Sequence, residues 1–111
     1  MKLEEGMYVR LNCNYELGIG KTIGEIDEDN FIKTKFKDGF ECSLPTYMIK
    51  KASHNIIDLI EVGDYVNGYK VRGTSVSTLL LDNFNMIKIE DYEIKSIVTK
   101  EQFESISYEV E

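Results

Sequence analysis

Tryptophan is absent from this chain of 111 residues, and alanine, proline and histidine each occur once, as Ala52, Pro45 and His54. Helices favour alanine, so its near absence beside plentiful Tyr, Phe, Ile, Val and Thr argues for strands. A single histidine excludes any multi-histidine metal site, and no cysteine or aspartate stands near it at ligand spacing. Cys13 and Cys42 are isolated and form no CxxC pair. Secreted domains this small use denser cysteine frameworks, so both thiols are expected to be reduced, with a Cys13–Cys42 disulfide as the lesser alternative. No run approaches the roughly 20 apolar residues that span a bilayer. The opening Met1-Lys2-Leu3-Glu4-Glu5-Gly6 has no apolar stretch behind its lysine, so a cytoplasmic protein is expected, with no membrane partner.

The composition that remains is globular. Hydrophobic residues are 42% and charged residues 30%, which leaves enough apolar surface to fold and makes disorder unexpected. Net charge is −7, and it is unevenly placed: residues 1–53 sum to −1 and residues 54–111 to −6. An acidic second half weighs against general nucleic-acid binding, whose affinity comes from phosphate neutralisation. It suits solubility or a basic protein partner.

A weak internal repeat organises the chain. Gly6-Met7-Tyr8-Val9 recurs as Gly63-Asp64-Tyr65-Val66, and Tyr47-Met48-Ile49-Lys50 recurs as Tyr92-Glu93-Ile94-Lys95, in the same order. Such recurrence suggests one supersecondary unit used twice. Residues 1–53 are expected as the first unit and 54–111 as the second, divided near Ser53–Ile60. Short alternating runs are expected as strands at 7–11, 19–26, 31–37, 40–43 and 48–50, then at 65–66, 69–71, 75–81, 86–89, 94–98 and 107–110. Asp38-Gly39 and Asn67-Gly68 are hairpin signals, and both glycines are expected at positive φ. Residues 44–47 read as one 3₁₀ turn, and 55–60 are ambiguous between strand and helical turn. Thr99-Lys100-Glu101-Gln102 fits a capping box that starts a helix over 100–105. The expected fold class is all-β, two small SH3-like barrel units in tandem with one short helix near the C-terminus.

Catalytic and cofactor motifs fail one by one. Gly18-Ile19-Gly20-Lys21-Thr22 suggests a phosphate loop, but that motif requires a glycine where Tyr15 stands, and a strand-like run follows instead of a helix. The dinucleotide pattern fails because Gly24 falls one residue late. Asp27-Glu28-Asp29-Asn30 lacks the glycine and glutamate that complete a calcium loop. His54 reads as a surface or linker residue. No catalytic residue, metal or cofactor is expected, and the chain reads as a binding protein rather than an enzyme.

Two surfaces compete as the binding site. Asp58, Glu61, Asp64, Glu90, Asp91 and Glu93 gather around the start and end of the second unit and would suit a basic protein. Lys33, Lys35 and Lys37 lie on one strand face opposite Ile32, Thr34 and Phe36. With Arg10 and Lys21 they form the alternative, a nucleic-acid face. Tyr8, Tyr47, Tyr65 and Tyr92 fall inside the repeat and are expected to pack. Tyr15, Tyr69 and Tyr108 are freer to serve an interface.

Residues 55–71, from Asn55-Ile56-Ile57-Asp58 to Tyr69-Lys70-Val71, and Ile97-Val98-Thr99-Lys100-Glu101-Gln102-Phe103-Glu104 resemble a family of small uncharacterised phage and prophage proteins of low-GC Gram-positive bacteria. The opening Glu5-Gly6-Met7-Tyr8-Val9-Arg10 is similar to that family's start. The resemblance covers most of 47–105 and the first half loosely, with residues 12–44 departing most. It implies an intracellular accessory protein made inside an infected host; the favoured expectation for such a small, acidic chain is a binding module that acts on a host protein, with counter-defence such as anti-CRISPR action as its most concrete form. It carries no catalytic residues.

Overall fold

The structure, a computed structural model, describes residues 2–12, 17–37, 39–75, 78–82, 86–88 and 94–106. Cys13, Tyr15, Asp38, Glu90, Asp91, Tyr92, Glu93 and the strand expected at 107–110 lie outside them. The fold is all-β: two antiparallel five-stranded sheets and one short helix near the C-terminus.

The first sheet comprises β1 (Tyr8–Leu11), β2 (Ile19–Thr22), β3 (Phe31–Lys35), β4 (Glu41–Pro45) and β5 (Ile49–Ser53), in the spatial order β4-β3-β2-β1-β5. The second comprises β6 (Tyr65–Val66), β7 (Tyr69–Ser75), β8 (Thr78–Leu81), β9 (Met86–Lys88) and β10 (Ile97–Val98), in the order β10-β6-β7-β8-β9. In each sheet the first strand lies between the last and the second, and the rest form a meander. The two Gly-x-Tyr-Val segments therefore occupy equivalent first strands, and Gly6 and Gly63 both precede them at positive φ (87° and 99°).

Local chemistry explains the elements. β3 alternates strictly: Ile32 and Thr34 are buried, and Phe36 beyond the strand end follows the same phase, while Phe31, Lys33 and Lys35 face out. Pro45, which has no N–H to give a ladder, sits at the end of edge strand β4. A 3₁₀ turn at Thr46–Met48 follows it, and the ambiguous apolar run becomes a second 3₁₀ turn at Ile56–Leu59. Asn67 and Gly68 both take positive φ (53° and 85°), the geometry of a type I′ turn between β6 and β7. Gly39 also has positive φ (82°), and its N–H donates to Phe36 O to close the β3–β4 hairpin.

The glycine-rich run that imitates a phosphate loop is β2 itself. A Cβ on Gly20 would lie 2.7 Å from both Phe36 Cε1 and Thr34 Cγ2, so only glycine lets β3 side chains pack over β2 there. The strand stops at Thr22, before the expected end at Ile26, because the buried Thr22 hydroxyl donates to Glu4 O (2.7 Å) and accepts from Met7 N–H (2.9 Å), which ties its end to the chain before β1.

The helix α1 (Lys100–Ile106) begins at the expected cap. Gln102 N–H donates to Thr99 Oγ1 (3.0 Å), and Thr99 N–H donates to Gln102 Oε1 (3.3 Å).

Each sheet has its own core. Leu3, Val9, Leu11, Ile32, Phe36, Leu44 and Ile49 fill the first, and Ile60, Val66, Val71, Leu79 and Leu81 the second. No described helix is long and apolar enough to cross a membrane. Cys42 is a half-buried free thiol whose pKa is raised by burial.

Candidate functional site

Arg10 on β1 ties the first unit to the second. In β1 the burial pattern breaks alternation, with Val9, Arg10 and Leu11 all buried. Val9 and Leu11 point into the first core. Arg10 points the other way, at a register shift between Arg10 and Leu11 where β1 meets β5. Bulges of this kind re-aim a side chain.

Arg10 is 2% exposed, and its guanidinium is spent on the second unit. Both terminal nitrogens engage the carboxylate of Asp64, with Nη2 to Oδ1 at 2.8 Å. Nη1 also donates to Leu59 O (2.9 Å), and Nη2 donates to Glu101 Oε2 (2.7 Å). Asp64 is fully buried and also accepts from the backbone N–H groups of Glu61 (2.7 Å) and Lys100 (2.8 Å). Burial alone would lower the pKa of Arg10. The hydrogen bonds and charge of Asp64, with Glu61 and Glu101, outweigh it and hold the pKa above its ordinary value.

Glu61 is surrounded by cations: Lys100 (3.0 Å), Lys50 (3.1 Å), Lys51 (3.2 Å) and Arg10 Nε (3.5 Å). Burial pushes its pKa up, but Lys100, Lys50, Arg10 and Lys51 together bring it down to about 2.

These contacts remove three residues from the expected binding faces. Asp64 belongs to no acidic surface, and Arg10 to no basic one, because each is the other's buried partner. Glu61 is neutralised by its neighbours. Asp58 is exposed and accepts a hydrogen bond from Ser53 Oγ (2.6 Å). Glu90, Asp91 and Glu93 lie outside the described residues. The acidic face therefore does not assemble from its described members.

The lysines behave differently. Lys33 pairs loosely with Glu41 (3.6 Å). Lys21, Lys35 and Lys37 are exposed and, among the described residues, have no carboxylate within ion-pair distance. Tyr8, Lys21 and Lys35 stand side by side across β1, β2 and β3. Lys21 Nζ lies 5.2 Å from the centre of the Tyr8 ring. Directly opposed like charges on neighbouring strands are unfavourable.

This row forms one wall of a cleft of about 400 Å³ between the units. Tyr8, Ile19, Ile23 and Phe36 of the first unit face Ile56, Ile94 and Ile97 of the second. Lys21, Lys35, Lys37 and Lys95 rim it. Lys95, which sequence reasoning did not single out, is held there by Asn67, whose Oδ1 accepts from Lys95 N–H (2.7 Å) and Ser96 N–H (3.1 Å). Gln102 closes one end against Gly18, tying the cleft to the capping box. The cleft has the size and mostly apolar lining of ligand pockets, with a few charged groups at its rim.

Elsewhere, His54 Nε2 meets Glu4 Oε1 at 2.6 Å on the surface; the hydrogen bond raises the histidine pKa and lowers that of the glutamate. Among the described residues no group of three or more His, Cys, Asp or Glu is placed to hold a metal ion. Compared with protein-family models, with curated proteins and with solved structures, the chain matches none of them.

Proposed function

We propose that this protein is a non-enzymatic binding module that takes an anionic partner in the cleft between its two units. One observation carries the reading. In a chain of net charge −7, Lys21, Lys35, Lys37 and Lys95, none with a carboxylate partner among the described residues, converge on the rim of one apolar cleft. Arg10, Lys50, Lys51 and Lys100 by contrast find carboxylates, while the exposed Lys2 and Lys70, which also lack one among the described residues, stand away from the cleft. An opposed Lys21–Lys35 pair weakens the sheet, and an anionic ligand bound beside it would supply the missing negative charge.

This reading takes Lys21, Lys35 and Lys37 from the expected basic face and leaves Arg10 and Lys33 out. The acidic-surface reading keeps its own test. Labelled acidic and basic peptides and a short oligo(dT) are titrated by fluorescence anisotropy at about 50 mM and about 200 mM salt. The wild type is expected to bind an anionic probe, more weakly at the higher salt. The Lys21→Glu/Lys35→Glu/Lys37→Glu variant is expected to lose that binding, and Glu90→Lys/Asp91→Lys/Glu93→Lys to keep it. If instead only the basic peptide binds, and the acidic-residue variant abolishes it, the partner is basic and the cleft is not the site.

A further inference from the structure

We infer that the anionic partner is a segment of protein chain in extended conformation, with acidic residues alternating with aliphatic ones. The inference rests on the cleft reading above and names the chemistry of its occupant.

Two features of the cleft choose this class. The first is its floor. Ile19, Ile23, Ile56 and Ile97 are aliphatic. Single-stranded nucleic acid is held by aromatic planes on which bases stack. The cleft offers at most one such plane. The Tyr8 ring has Lys21 Nζ over it, and Phe36 is 5% exposed and packs against Phe40 with ring centres 6.4 Å apart.

The second feature is the spacing of charge. Lys35 ends β3, and Lys37, two residues on, opens the turn that Gly39 closes; with Phe36 between them still paired to Phe40, their Cα atoms stand roughly 6 to 7 Å apart. Alternate residues of an extended peptide repeat at the same distance. Carboxylates at every second position would meet the lysines, and the side chains between them would turn to the isoleucine floor.

The test uses the full chain and three labelled probes of equal negative charge: an alternating Asp-Leu peptide, an alternating Asp-Ser peptide, and oligo(dT). The Asp-Leu peptide is expected to bind at least about tenfold more tightly than either of the others, because only it buries aliphatic side chains. Ile23→Ser should erase that preference while leaving the weaker, charge-driven binding of the Asp-Ser peptide. Ile23 belongs to neither core cluster, and a denaturation midpoint confirms that the variant folds. Equal binding of the two peptides, or tighter binding of oligo(dT), overturns the peptide inference and leaves the anionic cleft standing. Failure of all three probes to bind at low salt removes the anionic cleft and the inference together.

Discussion

Arg10 and Lys21 stand one strand apart, on β1 and β2, and the molecule treats them in opposite ways. Arg10 is enclosed, with Asp64, Glu101 and Glu61 around it and Leu59 O accepting a further hydrogen bond. Lys21 is exposed, with Lys35 opposite it and Tyr8 beneath. Each arrangement is intelligible only in its setting. A guanidinium removed from water requires a matched carboxylate, and its planar fork suits Asp64. An ammonium left in water beside another gains nothing from its neighbour and keeps its charge open to solvent. The contrast is between a charge that holds two units together and charges that stand open to solvent.

The largest effect expected of this contrast is on the enclosed side. Arg10→Ala leaves Asp64 buried without its bidentate partner and should destabilise the fold by about 3 to 5 kcal/mol. The paired replacement Arg10→Met/Asp64→Asn should recover part of that loss, since it removes the uncompensated charge and keeps a side-chain oxygen for the Glu61 and Lys100 N–H groups. Urea denaturation measures both. A loss under about 1 kcal/mol for Arg10→Ala would show that the cluster is not a latch and would dissolve the comparison.

Next in size is the acid response of Glu61. Its folded pKa of about 2 lies below the ordinary 4.5. A depressed carboxylate contributes stability that is fully present above its unfolded pKa and is lost as pH falls through the folded one. The fold should therefore weaken between about pH 4.5 and about pH 2, by about 1 to 2 kcal/mol from this residue once solvent screening is allowed for. Glu61→Gln removes that component, so its stability should fall less steeply with acid than that of the wild type. Parallel acid titrations with identical slopes would show that the surrounding lysines do not hold Glu61.

The smallest effect has the opposite sign. Lys21→Glu turns an opposed like pair into an attractive one with Lys35 and should stabilise the sheet by about 0.2 to 1 kcal/mol. A thermal melt decides it. Destabilisation by more than about 1 kcal/mol would mean that Lys21 is structural, and the line between the two kinds of cation would fall.

Much of the fold is legible in the sequence because it is local. The alternation of β3, the type I′ turn at Asn67-Gly68 and the capping box at Thr99 and Gln102 are each set by residues within a few positions. The repeated Gly-x-Tyr-Val places two first strands in equivalent positions for the same reason. The candidate site is less legible. Asp64 reads as one acid among several near the start of the second unit, because alternation tells which residues share a face and not whether another unit covers it. Arg10 misleads in the same way: its phase on β1 is outward, and outward there means into the neighbouring unit. Lys95 falls in the recurring Tyr-x-Ile-Lys segment, but nothing in that motif marks it as a cleft residue.

By itself the sequence determined the class of the fold, the order of its strands along the chain, the turns that bend it and the start of its helix, since each depends on backbone conformations that neighbouring residues prefer. The tertiary structure alone decided which charges are buried and which stand open. Tyr8, Lys21 and Lys35 meet only through strand register, and Ile56, Ile97 and Lys95 join them only because the second unit docks there. Burial and pairing depend on what a side chain faces across space, and no spacing along the chain encodes that distance.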